Sequence, residues 1–303
     1  MQHTSYILMI KPVRFDFNAE TAVNNRFQVR STENGVQEKA LREFENFIAT
    51  LRQHAIDVTV IEDTPEPYTP DSIFPNNWIS FHDDASILLY PMFAVNRRLE
   101  RKQQVLDVVN QKFKVTKTID LSSYENENVF LEGTGSMVLD RENKIAYACI
   151  SPRTDKKALQ DFCDKMHYTA IIFSAVDSDN EPIYHTNVMM CVADEFAVIC
   201  LDSIKNETER KTVSDSLIQN GKQIIEISFD QMNHFAGNML QVHNREGKKI
   251  VVMSSQAYHS LSAQQILSIE HFNPIIHSDI TTIETNGGGS ARCMMAEVFL
   301  PLK

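Results

Sequence analysis

Apolar residues along the chain keep two alternating rhythms. Short unbroken runs such as Tyr6–Ile10, Val58–Ile61 and Ser86–Tyr90 have the length of buried strands. Between them lie stretches with helical spacing: Gln37–His54 carries Ala40, Leu41, Phe44, Phe47, Ile48 and Leu51 on one face. The same spacing predicts helices over Arg97–Val109, Asp155–Met166, Glu207–Gln219 and Ser262–Glu270. Strands are predicted in pairs across short polar turns. Ser72–Ser80 pairs with Ser86–Tyr90 around His82-Asp83-Asp84, and Val188–Val192 with Ala197–Leu201 around Ala193-Asp194-Glu195. Met239–Val242 and Lys249–Met253 flank Asn244–Gly247, while Asn128–Leu131, Ser136–Leu139 and Lys144–Cys149 form a further group. Arg292–Phe299 reads as a closing strand.

The order strand pair, helix, strand thus recurs about five times. A polar residue stands in the loop entering each pair: Asp71, Glu132, His185, His234 and Cys293, at successive spacings of 61, 53, 49 and 59 residues. Repeats of ~40–50 residues can close into radial arrays whose units pack on their neighbours. No linker-like stretch divides the chain. The expectation is one α/β domain over residues 1–303, built of repeated blades with their loop residues converging on a central axis.

Charge removes several classes of function. With 29 Lys and Arg against 40 Asp and Glu, the net charge is −11, which disfavours nucleic acid and anionic membranes as partners. The opening Met1-Gln2-His3-Thr4 lacks a basic stretch followed by an apolar one, so no signal peptide is expected. Five cysteines, without a Cys-x-x-Cys pair, fit a reducing cytoplasm. The histidines and cysteines show no metal-ligand spacing, and Gly-x-Gly-x-x-Gly is absent. No metal and no cofactor are expected.

The chemistry concentrates in a few segments. Asn286-Gly287-Gly288-Gly289-Ser290 spends three of the chain's nine glycines directly before Cys293. Such a loop permits close approach of backbone to a ligand, and a thiolate is a competent nucleophile. Alone, the segment also reads as a flexible turn before a buried thiol. His185, in Tyr184-His185-Thr186-Asn187, is a surface or core residue on its own. Paired with a thiol from another repeat it becomes a general acid and base. Glu132 sits in a tight Leu131-Glu132-Gly133-Thr134-Gly135 turn, a poor place for a solvated carboxylate. Pro70-Asp71-Ser72-Ile73-Phe74-Pro75-Asn76-Asn77-Trp78 offers Asp71 and Asn77 as hydrogen-bonding groups. Arg153 and the Arg97-Arg98 pair could fork onto a carboxylate.

Together, Asp71, Glu132, Arg153, His185 and Cys293 resemble the guanidino-group-modifying enzymes, the pentein superfamily of arginine deiminases, dimethylarginine dimethylaminohydrolases, amidinotransferases and succinylarginine dihydrolase. The resemblance runs over nearly the whole chain. It implies a five-bladed α/β-propeller with Cys293 as nucleophile and His185 as acid and base. Glu132-Gly133-Thr134-Gly135 resembles the motif whose Glu grips the substrate end group. Pro70-Asp71-Ser72-Ile73-Phe74 is similar to the dimethylaminohydrolase substrate loop. Arg153, with Arg97 or Arg98, falls where the family binds an α-carboxylate.

Two departures bear on the substrate. Asn77 and Asn187 stand where deiminases carry guanidinium-binding aspartates. An ionised carboxylate only accepts hydrogen bonds and suits the all-donor guanidinium, whereas an amide also donates and suits a C=O. The exchange favours a neutral ureido group and is similar to the citrulline-utilisation hydrolases of the superfamily. The expected activity is hydrolysis of citrulline to ornithine, ammonia and carbon dioxide through a covalent Cys293 intermediate. Alternatives are an arginine deiminase or dihydrolase, an amidinotransferase, or a non-catalytic propeller that binds a partner. The expected partner is a small molecule, citrulline or an arginine derivative, and the oligomeric state stays open, a homo-oligomer among the options.

Overall fold

The computed structural model describes residues 1–32 and 34–303, and fifteen strands among these form five three-stranded sheets. The strands are β1 Tyr6–Lys11, β2 Asp57–Glu62, β3 Ile79–Phe81, β4 Ser86–Leu89 and β5 Lys117–Asp120, then β6 Val138–Asp140, β7 Ile145–Cys149, β8 Thr169–Phe173, β9 Met190–Val192 and β10 Phe196–Ile199, and finally β11 Gln223–Glu226, β12 Leu240–His243, β13 Lys249–Ser254, β14 Ile275–Ser278 and β15 Ala296–Glu297. Four sheets take three consecutive strands: β3-β4-β5, β6-β7-β8, β9-β10-β11 and β12-β13-β14. The fifth joins β1 and β2 to β15 from near the far end of the sequence.

Each sheet combines an antiparallel pair with a parallel third strand. A parallel neighbour cannot be reached by a tight turn, so a helix crosses over before it. The crossovers are Val36–Gln53, Gln103–Lys112, Lys156–Met166, Glu207–Gln219 and Ala263–Glu270. In the first, Ala40, Phe44, Phe47, Ile48 and Leu51 are buried, the face that its spacing predicts. A fully buried side chain of the larger of these types contributes ~1.5–3 kcal/mol. The result is the five-bladed α/β arrangement that the repeat suggests.

Several predicted boundaries differ, and the differences fall next to the axis. Ser72–Ser80 is mostly loop, with a 3-10 turn at Pro75–Asn77 before β3. Asn128–Leu131 is not a strand; a 3-10 segment, Ser122–Glu127, precedes it. Ser136–Leu139, Val188–Val192 and Arg292–Phe299 each open with a helical turn: Gly133–Ser136, Thr186–Met189 and Ala291–Met294. These turns are buried on every side, so their apolar runs carry neither strand nor helix period. Arg97–Val109 breaks at Glu100–Lys102 into Val95–Arg98 and Gln103–Lys112. Trp78 is 1% exposed and packs in an apolar cluster with Leu8, Phe81 and Phe113, so the indole is core. No described helix is long and apolar enough to cross a membrane.

Candidate active site

The helical turns that begin the blades meet near the axis, Gly133–Ser136 packing on both Pro75–Asn77 and Thr186–Met189. Each presents a polar residue there. Cys293 stands in the turn Ala291–Met294, its N–H donating to Ser290 O at 2.9 Å. The preceding glycines are forced by their neighbours. Gly288 has φ +64°, and a Cβ there would lie 2.5 Å from Asn25 Nδ2. Tyr184 holds the loop from the other side, its hydroxyl donating to Gly288 O at 2.6 Å.

His185 and Glu132 form a buried pair, His185 Nε2 lying 2.8 Å from Glu132 Oε2. An ionised carboxylate only accepts, so Nε2 carries the proton and Nδ1 is left for proton exchange. Burial pushes the imidazole down to about 4 despite the upward pull of Glu132. The Arg153 guanidinium and His185 together outweigh burial and hold the Glu132 carboxyl well below the usual range. The resting pair is therefore neutral imidazole and carboxylate.

Both oxygens of Glu132 face donors of the protein. Oε1 accepts from the Phe93 N–H at 2.9 Å, and Oε2 takes His185 and, at 3.4 Å, Arg153 Nη1. In the structure the residue bonds His185 and does not line the cavity beside it, where the sequence reading has it gripping the substrate end group. Arg97 is similarly engaged. Its Nε and Nη2 form a fork on Glu100 at 2.9 Å each, and Nη1 donates to Asn77 Oδ1 at 2.7 Å. Its charge is met by Glu100, and although it lines the cavity its contacts in the structure set the orientation of Asn77. Arg98 turns to the carbonyls of Met92 and Phe93 instead.

Asp71, Asn77, Arg97, Arg153, His185 and Cys293 all line one tight cavity of about 10 Å³, room for about one water. Asn187 does not line it. Its Nδ2 lies 3.4 Å from Cys293 Sγ, so it faces the sulfur and not the cavity. Asn238 Nδ2 lies 3.3 Å from the same sulfur. His234, placed near the axis by the repeat spacing, is half-exposed and bonds its own helix, with Nδ1 2.7 Å from Asp230 O. The fourth blade contributes Asn238 in its stead.

The sequence reading missed the segment that covers the cavity. Asn18 Nδ2 and Thr21 Oγ1 donate to Asp71 Oδ2 at 2.8 and 3.0 Å. Asn24 Oδ1 accepts from Arg153 Nε and Nη2 at 2.8 and 2.5 Å. This stretch has no apolar period, and its polar residues look like those of any loop. Glu100 was also missed; only its i,i+3 spacing from Arg97 hinted at the pair.

Two residues of the cavity wall each keep one buried polar atom without a hydrogen-bond partner: Asp71 Oδ1, an acceptor, and Asn77 Nδ2, a donor. Buried groups of this kind are costly unless something satisfies them. Because Arg97 fixes the Asn77 oxygen, the amide cannot turn to offer anything but N–H. Among the described residues no cluster suited to a metal ion is present.

The crowding makes a sharp prediction for Gly135. A Cβ there would overlap Asn77 Nδ2 and come within 2.8 Å of His185 Nδ1. Gly135→Ala should lower kcat/KM by about 100-fold, the order associated with ~1 Å misplacement of catalytic groups, while thermal unfolding stays cooperative. Full activity in that variant would mean that these two side chains do not act on the substrate.

The family model described as N,N dimethylarginine dimethylhydrolase, eukaryotic, matches residues 11–300. No curated protein matches the sequence. Among solved structures, the N-terminal domain of ArgZ bound to product, an arginine dihydrolase from the ornithine-ammonia cycle in cyanobacteria, superposes with TM-score 0.76 at 16% identity, covering 98% of each chain. The chain spans 41% of full-length ArgZ and 40% of unliganded AgrE, the latter with TM-score 0.77 and 17% identity over 98% of this chain. A His-to-Gly variant of dimethylarginine dimethylaminohydrolase, as an adduct with S-methyl-L-thiocitrulline, gives TM-score 0.66 at 15% identity over 98% of this chain and 100% of that one. Fold and family model agree: the chain belongs to the dimethylarginine dimethylhydrolase family of the pentein, guanidino-modifying superfamily.

Proposed function

We propose that the protein hydrolyses citrulline to ornithine, ammonia and carbon dioxide through a covalent intermediate on Cys293. The observation that carries this reading is a pair of unsatisfied atoms on residues that line one cavity, the acceptor Asp71 Oδ1 and the donor Asn77 Nδ2. A ureido group offers N–H to the first and C=O to the second. A guanidinium offers only donors and leaves the Asn77 N–H without a partner.

In this mechanism the Cys293 thiolate attacks the ureido carbon. The Asn77 N–H then faces the oxygen on which charge develops. A proton drawn from solvent passes through His185 Nδ1 to the departing nitrogen, whichever of the two leaves, and a thiocarbamate remains on the sulfur. His185 next takes a proton from water, which hydrolyses that intermediate, and the resulting carbamate breaks down to carbon dioxide. Glu132 keeps the imidazole in one tautomer throughout. Arg153 holds the α-carboxylate; Asn24 Oδ1 already occupies the fork that a carboxylate oxygen would take.

A guanidino substrate is the second reading, favoured by the Asp71 carboxylate and by the family match. Measuring ornithine and ammonia released from citrulline, arginine and N,N-dimethylarginine separates the two. Citrulline should be consumed with the highest kcat/KM. Turnover of either guanidino compound with none of citrulline would overturn the proposal.

The buried imidazole also sets a pH dependence. Because it titrates near 4 and not near 6.5, His185 stays neutral through mildly acidic solution. The acid limb of kcat/KM against pH should therefore fall well below pH 6.5. The sign for stability follows from the same displacement: between pH 6.5 and 4 the unfolded chain binds the proton that the folded one refuses, so this residue makes the fold less stable as pH drops through that window. A limb centred at the ordinary histidine value would show that the imidazole is not held neutral.

A further inference from the structure

We propose that Asn238 is a catalytic residue whose side-chain N–H donates to Cys293 Sγ and keeps the nucleophile ionised without an imidazolium partner. The inference rests on the reading of Cys293 as nucleophile, not on which substrate it attacks.

The amide of Asn238 is locked at every other position. Its Oδ1 accepts from the Arg292 N–H at 3.0 Å, and one Nδ2 hydrogen is taken by Asn187 O at 2.9 Å. The second hydrogen is left for the sulfur, 3.3 Å from Nδ2. Rotating the amide by 180° would set oxygen against oxygen at Asn187 and N–H against N–H at Arg292, so this donor cannot become an acceptor. Asn187 Nδ2 supplies a second contact at 3.4 Å, but its Oδ1 has no partner and nothing fixes that amide.

The two forms of the sulfur fare unequally in this setting. A thiolate receives two N–H donors. With Asn187 oriented as it is, a thiol finds for its own S–H only Asn238 Oδ1, at 3.8 Å, whereas the Asn238 donor stays on the sulfur in either orientation of Asn187. Donors that serve the charged form favour it. The other groups around the sulfur do not replace them. His185 is engaged with Glu132 and lies neutral. On the nucleophile's own turn, Arg292 is turned away onto Glu297 at 2.8 Å. Arg97 is committed to Glu100, Arg153 reaches Glu132, and Asp71 adds an acidic group to the cavity. Asn238 also sits at the entry to β12, in the blade that otherwise contributes nothing to the centre.

The test needs no substrate. Alkylation of Cys293 by iodoacetamide at neutral pH is followed by mass spectrometry of the Cys293 peptide, because four other cysteines are present. Asn238→Asp keeps an acceptor for the Arg292 N–H and replaces the Nδ2 donor, which serves both the sulfur and Asn187 O, with an oxygen. Alkylation should slow at least ~10-fold, as thiolate nucleophilicity requires the ionised sulfur. Asn238→Ala should slow it similarly and decides the matter if the added charge of aspartate impairs folding. His185→Asn should leave the rate close to that of the unchanged protein. An unaltered rate in either folded Asn238 variant, or a loss in His185→Asn as large as in Asn238→Asp, would overturn the proposal. Failure to hydrolyse citrulline would leave these rates as they are, so the two readings fail separately.

Discussion

Cys293→Ser is expected to lower hydrolysis by at least about 10,000-fold, the scale seen when a covalent nucleophile is removed from a cysteine or serine hydrolase. Serine is nearly isosteric, so the turn Ala291–Met294 and the Ser290 contact should persist and the unfolding temperature should stay within a few degrees. The hydroxyl has no thiolate-like form near neutral pH and is the far weaker nucleophile. The measurement is a single-turnover assay for ornithine, paired with intact mass. The unchanged protein should show a transient adduct on Cys293, and the variant should show none. Substantial turnover by the variant would remove covalent catalysis from the account.

Asn77→Asp carries the second large effect. In the unchanged protein Arg97 holds the amide oxygen, and the N–H of this cavity-lining residue is left without a partner. Aspartate would satisfy Arg97 equally well but place an acceptor where the donor stood. Loss of one donor aimed at a developing oxyanion costs ~3–4 kcal/mol, or about 100- to 1,000-fold in rate, and a like charge there adds to the loss. The substitution also sets a third carboxylate beside Arg97, after Glu100 and Asp71, whose Oδ2 is 4.0 Å from Nε. Citrulline turnover should fall by that amount, while binding of arginine improves or holds. A variant that hydrolyses citrulline faster would reverse the polarity argument for the substrate.

How much of this could be read from residues alone depended on how regular the local physics was. The crossover helix Val36–Gln53 has its apolar face outlined by Ala40, Phe44, Phe47 and Ile48, and the structure buries that face. The blade count was visible because polar residues recur in loops ahead of apolar pairs. The turns that carry Glu132, His185 and Cys293 were hidden, since a segment buried on all sides loses its periodicity. The roles of the charged residues were harder still. Arg97 looks like a free cation until Glu100 is seen to meet its charge, a pairing that requires a break in the predicted helix at that point. Asn238 was passed over for His234, four residues earlier, because histidine attracts attention and an amide does not. The covering segment with Asn18, Thr21 and Asn24 acts through long-range partners, 53 residues away for Asn18–Asp71 and 129 for Asn24–Arg153, which no local pattern encodes.

The blade made from β15, β1 and β2 has one further consequence, for the birth of the enzyme. Its strands come from opposite ends of the sequence, Ile7 pairing with Glu297, and the turn bearing Cys293 lies immediately before β15. Four blades can assemble from neighbouring segments as a nascent chain emerges from the ribosome. The ring itself stays open until residues past 290 are out and can return to a strand made first. Closing so long a loop is slow compared with local pairing. Partly synthesised chains would thus carry His185, Glu132 and Asp71 without the turn of Cys293 in register with them, so the proposed site is complete only once the ring closes.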